Sequence, residues 1–432
     1  LHRMGLCHGT LTAIPSGPVL DHRTLRNGSS LVTAAIPDAA LTCLDFWCRG
    51  GSAWEKSGEE GVAHFLEHMV FKGSRSLGPG EFDRRIEALG GSSNAATGFD
   101  DVHYHVLVPT AESNEALDLL LDLVLDPALE QDSFCMERDV VLEEIAQYRD
   151  QPDDQVLQTL LELCCAPHSY GRPILGWETS LRQMDPAGMR RYHHRRYRGA
   201  NCCLSVAGSI QEDLISHALS SPLAQLALVE DCDPAATNRS ALPFRQGREC
   251  RRFARLEAAR LLMVWPVACA DDQLAIAGAD LITTILAEGR RSRLVQKLRE
   301  ELQIVESIDM DVTTLEQGSL VMLEACCPDD QLERVETEIQ AELQRSLSAE
   351  ITDEEFQRAM QLVGNGHRFS LEAPGAVAAS VGSQTLWGRH RDLLAPLQDL
   401  LQWEASSLRD RVMPLLQPQR SFTLIARSED NS

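Results

Sequence analysis

One stretch of the sequence, from Glu60 to Phe71, combines a largely apolar composition with His64, Glu67 and His68 at helical spacing. An apolar run of this length predicts a helix that is buried in the protein. His64 and His68 are four residues apart and therefore share one face of the helix, and Glu67 projects toward the same side. Buried imidazole and carboxylate groups need partners. The fold must therefore bring compensating groups to this helix.

A metal ion would supply these partners. Neutral imidazoles bind zinc at about 2.0–2.1 Å, and a catalytic zinc site has three protein ligands and a water molecule. The order His-x-x-Glu-His is the reverse of the more familiar His-Glu-x-x-His, and the glutamate can take a proton from the water. Because the chain has 13 histidines, these five residues alone are a modest signal. The alternative is an exposed, charged helix, which the apolar residues disfavour.

The acidic segment from Glu137 to Ile145 is the best source of a third ligand. On a helix, Glu137 and Glu144 share one face, whereas Glu143 points about 100° away from Glu144. Either Glu137 or Glu144 could bind the ion, while the other orients this ligand without contacting the ion itself. The spacing alone is also compatible with Glu137 and Glu144 lying on an ordinary solvent-exposed face of the helix.

The sequence divides into two halves of similar texture on either side of a polar middle. Residues 226–247 lose hydrophobic periodicity and contain Pro, Asp, Asn and Gly, which is typical of a linker. We therefore predict an N-terminal domain at residues 1–225 that carries the metal motif. A C-terminal domain of similar α+β fold, lacking the motif, is predicted at residues 248–432.

Predicted strands and helices recur in a similar order in the two halves. Strands are predicted at residues 30–36, 41–49, 92–97, 102–108 and 202–207, and again at 260–267, 304–313 and 319–327. Helices are predicted at residues 60–71, 79–89 and within 113–150, and again at 274–286 and 292–302. Thr352 and Glu355 have the spacing of a capping box that begins a further helix.

Composition limits the class of partner. The net charge of −24 argues against nucleic-acid binding and favours neutral or cationic partners. The basic cluster from Arg190 to Arg198 is interpreted as a solvated helix end. No run approaches the roughly 18 apolar residues of a membrane helix. The 13 cysteines include no CxxC pair, and no secretory segment begins the sequence, so a reducing compartment, by default the cytoplasm, is expected.

Longer matches accompany the metal motif across most of the chain. They are RNGSSLV, RGGSAWE, GGSSNAATGFDDVHYH, ERDVVLEEI and HSYGRPILG, followed by the S-R-L and L-R-E of residues 292–294 and 298–300. With the metal helix, they resemble the pitrilysin and mitochondrial-processing-peptidase family of inverted zincins, most closely its single-unit bacterial branch. The resemblance implies a zinc-dependent endopeptidase. It also implies two similar α+β domains, each a sheet with helices on one side, that form a clamshell.

The resemblance also selects the site residues. In that family the third ligand follows the second histidine by about 76 residues, which selects Glu144 over Glu143. His64, His68 and Glu144 are therefore expected to bind zinc. A catalytic role is expected for Glu67, and also for Glu137, which matches a family carboxylate seven residues before the third ligand.

Peptide binding is expected at the strand predicted at residues 92–97. An edge strand can accept an extended peptide as an added strand, and in the family the match of Asn94-Ala95 lies beside the scissile bond. The alternative is a hairpin arm that binds no ligand. In the neighbouring strand His103 and His105 share one face, and we do not assign them to zinc, because the three-ligand set is complete without them.

One position departs from the family. Arg299 matches the Arg of an Arg/Tyr pair that reaches the substrate, but Glu306 stands where the Tyr is expected. A carboxylate cannot stabilise a developing oxyanion as a phenol can. We hypothesise a dimer in which a homologous subunit supplies the missing pair, the alternative being a homodimer in which Glu306 is harmless. A non-catalytic peptide-binding or scaffold subunit of a processing-peptidase-like complex is the second function considered.

Overall fold

The computed structural model describes residues 17–229 and 242–429 and consists of two α+β halves, each built on one sheet. This confirms the predicted fold class. The linker predicted at residues 226–247 lies partly outside the described residues, and its last residue, Gly247, begins a strand. The division into domains at residues 1–225 and 248–432 stays a prediction.

The first half contains a six-stranded sheet. Its strands are β1 (Leu20–Thr24), β2 (Ser30–Ala35), β3 (Leu41–Cys48), β4 (Ser92–Thr97), β5 (Val102–Pro109) and β6 (Cys202–Gly208). They lie in the order β1-β2-β6-β3-β5-β4, with β2 and β6 parallel and all other neighbours antiparallel. Strand β4 is therefore an edge of the sheet, as the sequence predicts.

Helices fill the long connections of the first half. They are α1 (Val62–Val70), α2 (Glu81–Ala88), α3 (Ser113–Leu125), α4 (Gln131–Asp150), α5 (Pro152–Cys165), α6 (Glu178–Gln183), α7 (Pro186–Arg196) and α8 (Glu212–Ser220). Helix α1 packs with its apolar side chains Phe65, Leu66 and Met69 in the core formed with the inner face of the sheet. The predicted burial of the motif helix is thus confirmed.

The second half contains a five-stranded sheet in the order β7-β11-β8-β10-β9. The strands are β7 (Gly247–Phe253), β8 (Ala259–Pro266), β9 (Ser307–Thr313), β10 (Leu320–Cys327) and β11 (Phe422–Ser428). The main helices are α9 (Gln273–Ala287), α10 (Leu332–Ser346), α11 (Asp353–Phe369), α12 (Pro374–Leu386) and α13 (Ala395–Leu400). The predicted capping box of Thr352 and Glu355 begins α11, and the helix predicted at 292–302 is a π-helical segment, Val295–Glu301.

Each half covers the outer face of the other half's sheet with one helix. Helix α12 places Val377 and Val381 against Trp47 and other apolar residues on the outer face of the first sheet. At Gly382 an added Cβ would lie 2.5 Å from Nε1 of Trp47, so only glycine allows this close approach. In the other direction, α5 packs against the outer face of the second sheet. The sequence analysis does not predict this exchange.

Polar contacts also join the two halves, at the loop before β5. A carboxylate oxygen of Asp100 accepts a hydrogen bond from the backbone N–H of Glu316, at 3.0 Å. The other oxygen accepts one from the Tyr170 hydroxyl, at 2.7 Å. The neighbouring Asp101 accepts a hydrogen bond from Nε1 of Trp387, at 3.0 Å. Two adjacent carboxylates of the first half therefore hold two segments of the second half.

The basic cluster at residues 190–198 is not the solvated helix end that the sequence suggests. Arg196 is 2% exposed, and its Nε donates to the carbonyl oxygen of Arg49 at 2.8 Å. Its guanidinium lies 4.0 Å from the ring centroid of Trp54. Arg190 donates to the carbonyl oxygen of Ala128 at 2.7 Å. These two arginines bind backbone carbonyls inside the fold, which a charge pattern alone does not reveal.

Across the described parts of the chain, no helix is both long and apolar enough to cross a membrane.

Candidate metal centre

The N-terminus of α1 is fixed by a buried glutamate. Glu55 accepts hydrogen bonds from the backbone N–H groups of Gly61 and Ala63, at 3.0 and 2.9 Å. These two donors have no partner within the helix, so the carboxylate satisfies what the helix leaves open. Burial raises the pKa of Glu55 to about 8. The position of α1, and with it that of the motif, is set by this contact and by the apolar core.

His64 and His68 project from one face of α1 toward α4, as their spacing predicts. Their ring centroids are 4.7 Å apart. Nε2 of His64 lies 3.7 Å, and Nε2 of His68 3.4 Å, from the same carboxylate oxygen of Glu144 on α4. The three ligand atoms all lie within 4.8 Å of one another. The structure thus brings together the three residues that the sequence predicts as ligands.

The geometry of this cluster fits a zinc ion. Ligands at 2.0–2.1 Å from a tetrahedral ion are separated from one another by about 3.3–3.4 Å. The two distances from Glu144 to the imidazoles are close to this value and longer than an ordinary hydrogen bond. Nδ1 of His64 is buried and has no hydrogen-bond partner among the described residues. Packing therefore orients the His64 ring, whereas a hydrogen bond orients His68.

Glu137 is the residue that orients His68. Its Oε1 lies 2.9 Å from Nδ1 of His68, and its Oε2 lies 2.7 Å from Nζ of Lys72. A carboxylate that accepts the proton of Nδ1 leaves the lone pair on Nε2, the atom that faces Glu144. Sequence reasoning places Glu137 on the correct face of α4 but misses Lys72, whose only signal is its position four residues after His68.

Glu67 lies between α1 and the edge strand β4. The hydroxyl of Thr97 donates a hydrogen bond to Oε2 of Glu67, at 2.5 Å. Burial raises the pKa of Glu67. Thr97 is the last residue of a strand that the sequence singles out, and period-two alternation places it on the inner face with Ala95. The alternation could have identified this contact.

The electrostatics of the cluster suit a cation. Burial lowers the pKa of His64 to about 4, so its imidazole is neutral at pH 7. Interaction with His68 lowers the pKa of Glu144, which is therefore ionised. The carboxylate of Glu144, together with that of Glu137, raises the pKa of His68. One neutral imidazole, one basic imidazole and a carboxylate thus face one point.

Strand β4 offers a free backbone edge beside Glu67. The side chain of Asn94 is exposed, and its Oδ1 accepts the backbone N–H of Ala95 at 2.9 Å. That N–H is therefore not paired with β5 and points away from the sheet. By contrast, no described hydrogen bond or ion pair joins Arg299 or Glu306 to these residues. Among the described contacts, Arg299 pairs with Glu300 at 3.0 Å, and Glu306 accepts the thiol of Cys326 at 3.6 Å.

Comparisons with known proteins match the chain to one peptidase family. The model of the insulinase family, peptidase family M16, matches residues 32–178, and the model of the peptidase M16 inactive domain matches residues 184–363. An uncharacterized zinc protease of Rickettsia bellii is 25% identical over 358 residues, which cover 83% of this chain and 85% of that protein. An uncharacterized zinc protease of Mycobacterium tuberculosis is 27% identical over 408 residues, covering 90% and 89%.

A solved structure shares the fold. The crystal structure of a protease from Helicobacter pylori superposes with a TM-score of 0.83 at 22% identity. The match covers 95% of this chain and 100% of that one. The two-half architecture is therefore that of a known group of proteins.

Proposed function

Because the chain belongs to peptidase family M16, the insulinase family, we propose that it is a zinc-dependent endopeptidase. The observation that carries the proposal is the convergence of His64, His68 and Glu144 within 4.8 Å. The zinc-protease names of the relatives support the choice of metal. These three side chains would hold the ion. When bound, zinc would lower the pKa of a coordinated water to about 7 and polarise the peptide carbonyl.

Glu67 is proposed as the general base and acid. It accepts the proton of the attacking water and delivers that proton to the leaving amine. Its raised pKa suits this exchange, because burial makes the carboxylate a stronger base toward the proton of the water. Thr97 holds the carboxylate in place through one oxygen and leaves the other for the water. Glu137 contributes by holding the ring of His68.

The substrate is proposed to bind as an additional strand along β4. The N–H of Ala95 would leave the side chain of Asn94 and donate to the backbone of the peptide. Backbone pairing makes few demands on peptide sequence, so unfolded segments are the expected substrate class. The net charge of −24 favours basic peptides through long-range attraction.

A dimer with a homologous subunit is proposed to complete the site. Arg299 is half-exposed and paired only with Glu300 among the described contacts, and Glu306 stands where a phenol would serve the oxyanion. A partner that supplies an Arg/Tyr pair would provide the phenol that is missing from this chain. If Glu306 instead marks a chain that binds peptides without cutting them, the purified protein will retain peptides and cleave none.

The test is zinc analysis and peptide cleavage with the purified full chain. We expect one zinc at the proposed catalytic centre and, once a homologous partner that supplies the Arg/Tyr pair is added, cleavage of an unstructured basic peptide that stops on chelation and returns with added zinc. Cleavage by the chain alone, at rates typical of peptidases, would contradict the proposed dimer with a homologous subunit but would support the proposed peptidase activity. Absence of both zinc and cleavage, alone or with a homologous partner, would overturn the peptidase proposal.

A further inference from the structure

A second group of metal-binding side chains lies on the outer face of the first sheet. It consists of Asp45 on β3 and of His103 and His105 on β5. The strands are antiparallel neighbours, with Asp45 directly opposite His105 and Trp47 opposite His103. In β5, Tyr104 points to the inner face, toward α1, so the two histidines point away from the proposed catalytic centre.

The three side chains are close enough to share one ion. Their ligand atoms all lie within 4.8 Å of one another. Nδ1 of His103 is 3.0 Å from a carboxylate oxygen of Asp45. The His103 ring stacks on Trp47, with 4.2 Å between centroids, and its centroid is 5.6 Å from that of His105. Around a tetrahedral zinc ion the separations between ligands are about 3.3–3.5 Å, so modest side-chain rotation would close the set.

The burial of Asp45 needs an explanation. Asp45 is 1% exposed and lies on a sheet face where apolar side chains such as Cys43 and Trp47 pack under α12, with Ser205 opposite it on β6. A buried carboxylate is costly unless its charge is compensated. His103 supplies one hydrogen bond. His105 faces the same carboxylate, yet its ring nitrogens have no hydrogen-bond partner among the described residues.

We propose that Asp45, His103 and His105 form a second binding site for a divalent transition-metal ion, of which zinc is the expected one. Two imidazoles and one carboxylate are a ligand set that such ions prefer. Water can supply the remaining position, because both histidines are only partly buried and Asn94 and Ala96 of β4 are exposed on the same side. The ion would cross-link β3 and β5, the strands that carry β4 at the sheet edge.

The site is independent of the proposed peptidase centre. The two ligand groups lie on opposite faces of the sheet, and they share no residue. If His64, His68 and Glu144 bound nothing, the second site would still bind one ion. The competing explanation is a simple hydrogen-bonded pair of Asp45 and His103, in which His105 has no role.

Zinc stoichiometry of the full chain distinguishes the two explanations. After dialysis against buffered free zinc, the wild type should retain two ions. A chain carrying His64→Ala and His68→Ala should retain one, and adding His105→Ala should remove it. The control His194→Ala, an exposed histidine outside both groups, should leave the count unchanged.

Thermal unfolding gives a second readout. In the His64→Ala, His68→Ala background, zinc should raise the melting temperature, because it binds the folded state, and His105→Gln should abolish this rise. His105→Gln keeps a polar side chain on a partly exposed position, which guards against simple misfolding. If the two-histidine variant binds no zinc, or if His105→Gln and His105→Ala bind it as before, the second site does not exist.

Discussion

The carboxylate of Glu137 and the imidazole of His68 form a hydrogen bond of 2.9 Å on the side of the ring opposite Glu144. The same carboxylate pairs with Lys72 at 2.7 Å. A buried carboxylate between a cation and an imidazole fixes both the orientation of the ring and the position of its proton. Glu137 thus acts on the proposed zinc through His68 rather than as a member of the ligand group.

Replacing Glu137 should therefore weaken zinc binding without abolishing it. For Glu137→Gln we expect a loss of about 10–100-fold in zinc affinity, the usual effect of removing such a partner. Competition titration with a fluorescent chelator measures the change. Asp139→Asn, an exposed position on the same helix, is the control. Equal affinities in the two variants would remove Glu137 from this role.

Substitutions of the two adjacent glutamates of α4, Glu143 and Glu144, should differ sharply in their effect on zinc binding. Glu144 faces both imidazoles, whereas Glu143 is exposed and points elsewhere. Glu144→Gln should lose the ion of the proposed catalytic centre, because it removes the only carboxylate of that ligand group, and Glu143→Gln should keep it. Metal analysis in the His105→Ala background counts this ion alone. A chain that keeps its zinc without the Glu144 carboxylate would contradict the assignment.

Glu67→Gln should separate binding from turnover. The amide can still accept from Thr97 but cannot carry the proton, so zinc content and peptide affinity should be retained. Loss of a general base typically costs 10²–10⁴-fold in rate. Comparison of kcat with the Kd of a bound peptide, again with Glu143→Gln as the control, tests this. Substantial residual hydrolysis would show that another group activates the water.

The contact between Asp100 and the second half should make stability depend on pH. Burial raises the pKa of Asp100 to about 7, well above its ordinary value of about 3.9. The folded state therefore keeps a proton that the unfolded chain loses above about pH 4, and the stability from this group falls as the pH rises toward 7.

Comparison of wild type with Asp100→Asn isolates this effect. The asparagine does not titrate. The melting temperature of the wild type, measured relative to that of the variant, should therefore decrease as the pH rises from about 4 to about 7. Asp83→Asn, an exposed carboxylate on α2, serves as the reference. A difference that stays constant over this range would mean that Asp100 is ionised throughout.

Alanine substitution at two glycines of α12 should change the stability of the protein in opposite directions. In Gly382→Ala the new Cβ would meet the indole of Trp47 at 2.5 Å, and such overpacking costs about 1–3 kcal/mol. In Gly375→Ala the Cβ would meet nothing within 4 Å, and the gain in helix propensity is up to about 1 kcal/mol. Thermal or denaturant unfolding of the two variants measures the difference. Equal stability would imply that α12 does not pack closely on the first sheet.

The parts of the fold that sequence could predict are those with local periodicity. The spacing of His64 and His68 places both rings on one helix face, and the alternation from Val102 onward places Tyr104 inside. The strand at residues 92–97 is found with its predicted bounds, and the other predicted strands differ by a few residues at their ends. The grouping of His64, His68 and Glu144 was predicted because a helical repeat and a family spacing coincide.

The parts that sequence missed depend on distant partners. Strands β1 and β7 are largely polar edge strands, without the apolar alternation that marks a half-buried strand. The C-terminal strand β11 becomes a strand by inserting between β7 and β8. Lys72 and Thr97 are single polar residues whose contacts, with Glu137 and Glu67, come from tertiary structure.

The exchange of α12 and α5 has a consequence for how the polypeptide can be divided. If the chain were cut between its two sheets, each fragment would expose an apolar surface that includes Trp47 on one side and Leu262 on the other. Such surfaces aggregate in water unless they are covered. Co-expressed fragments should therefore rescue each other, whereas either fragment made by itself should be recovered in inclusion bodies.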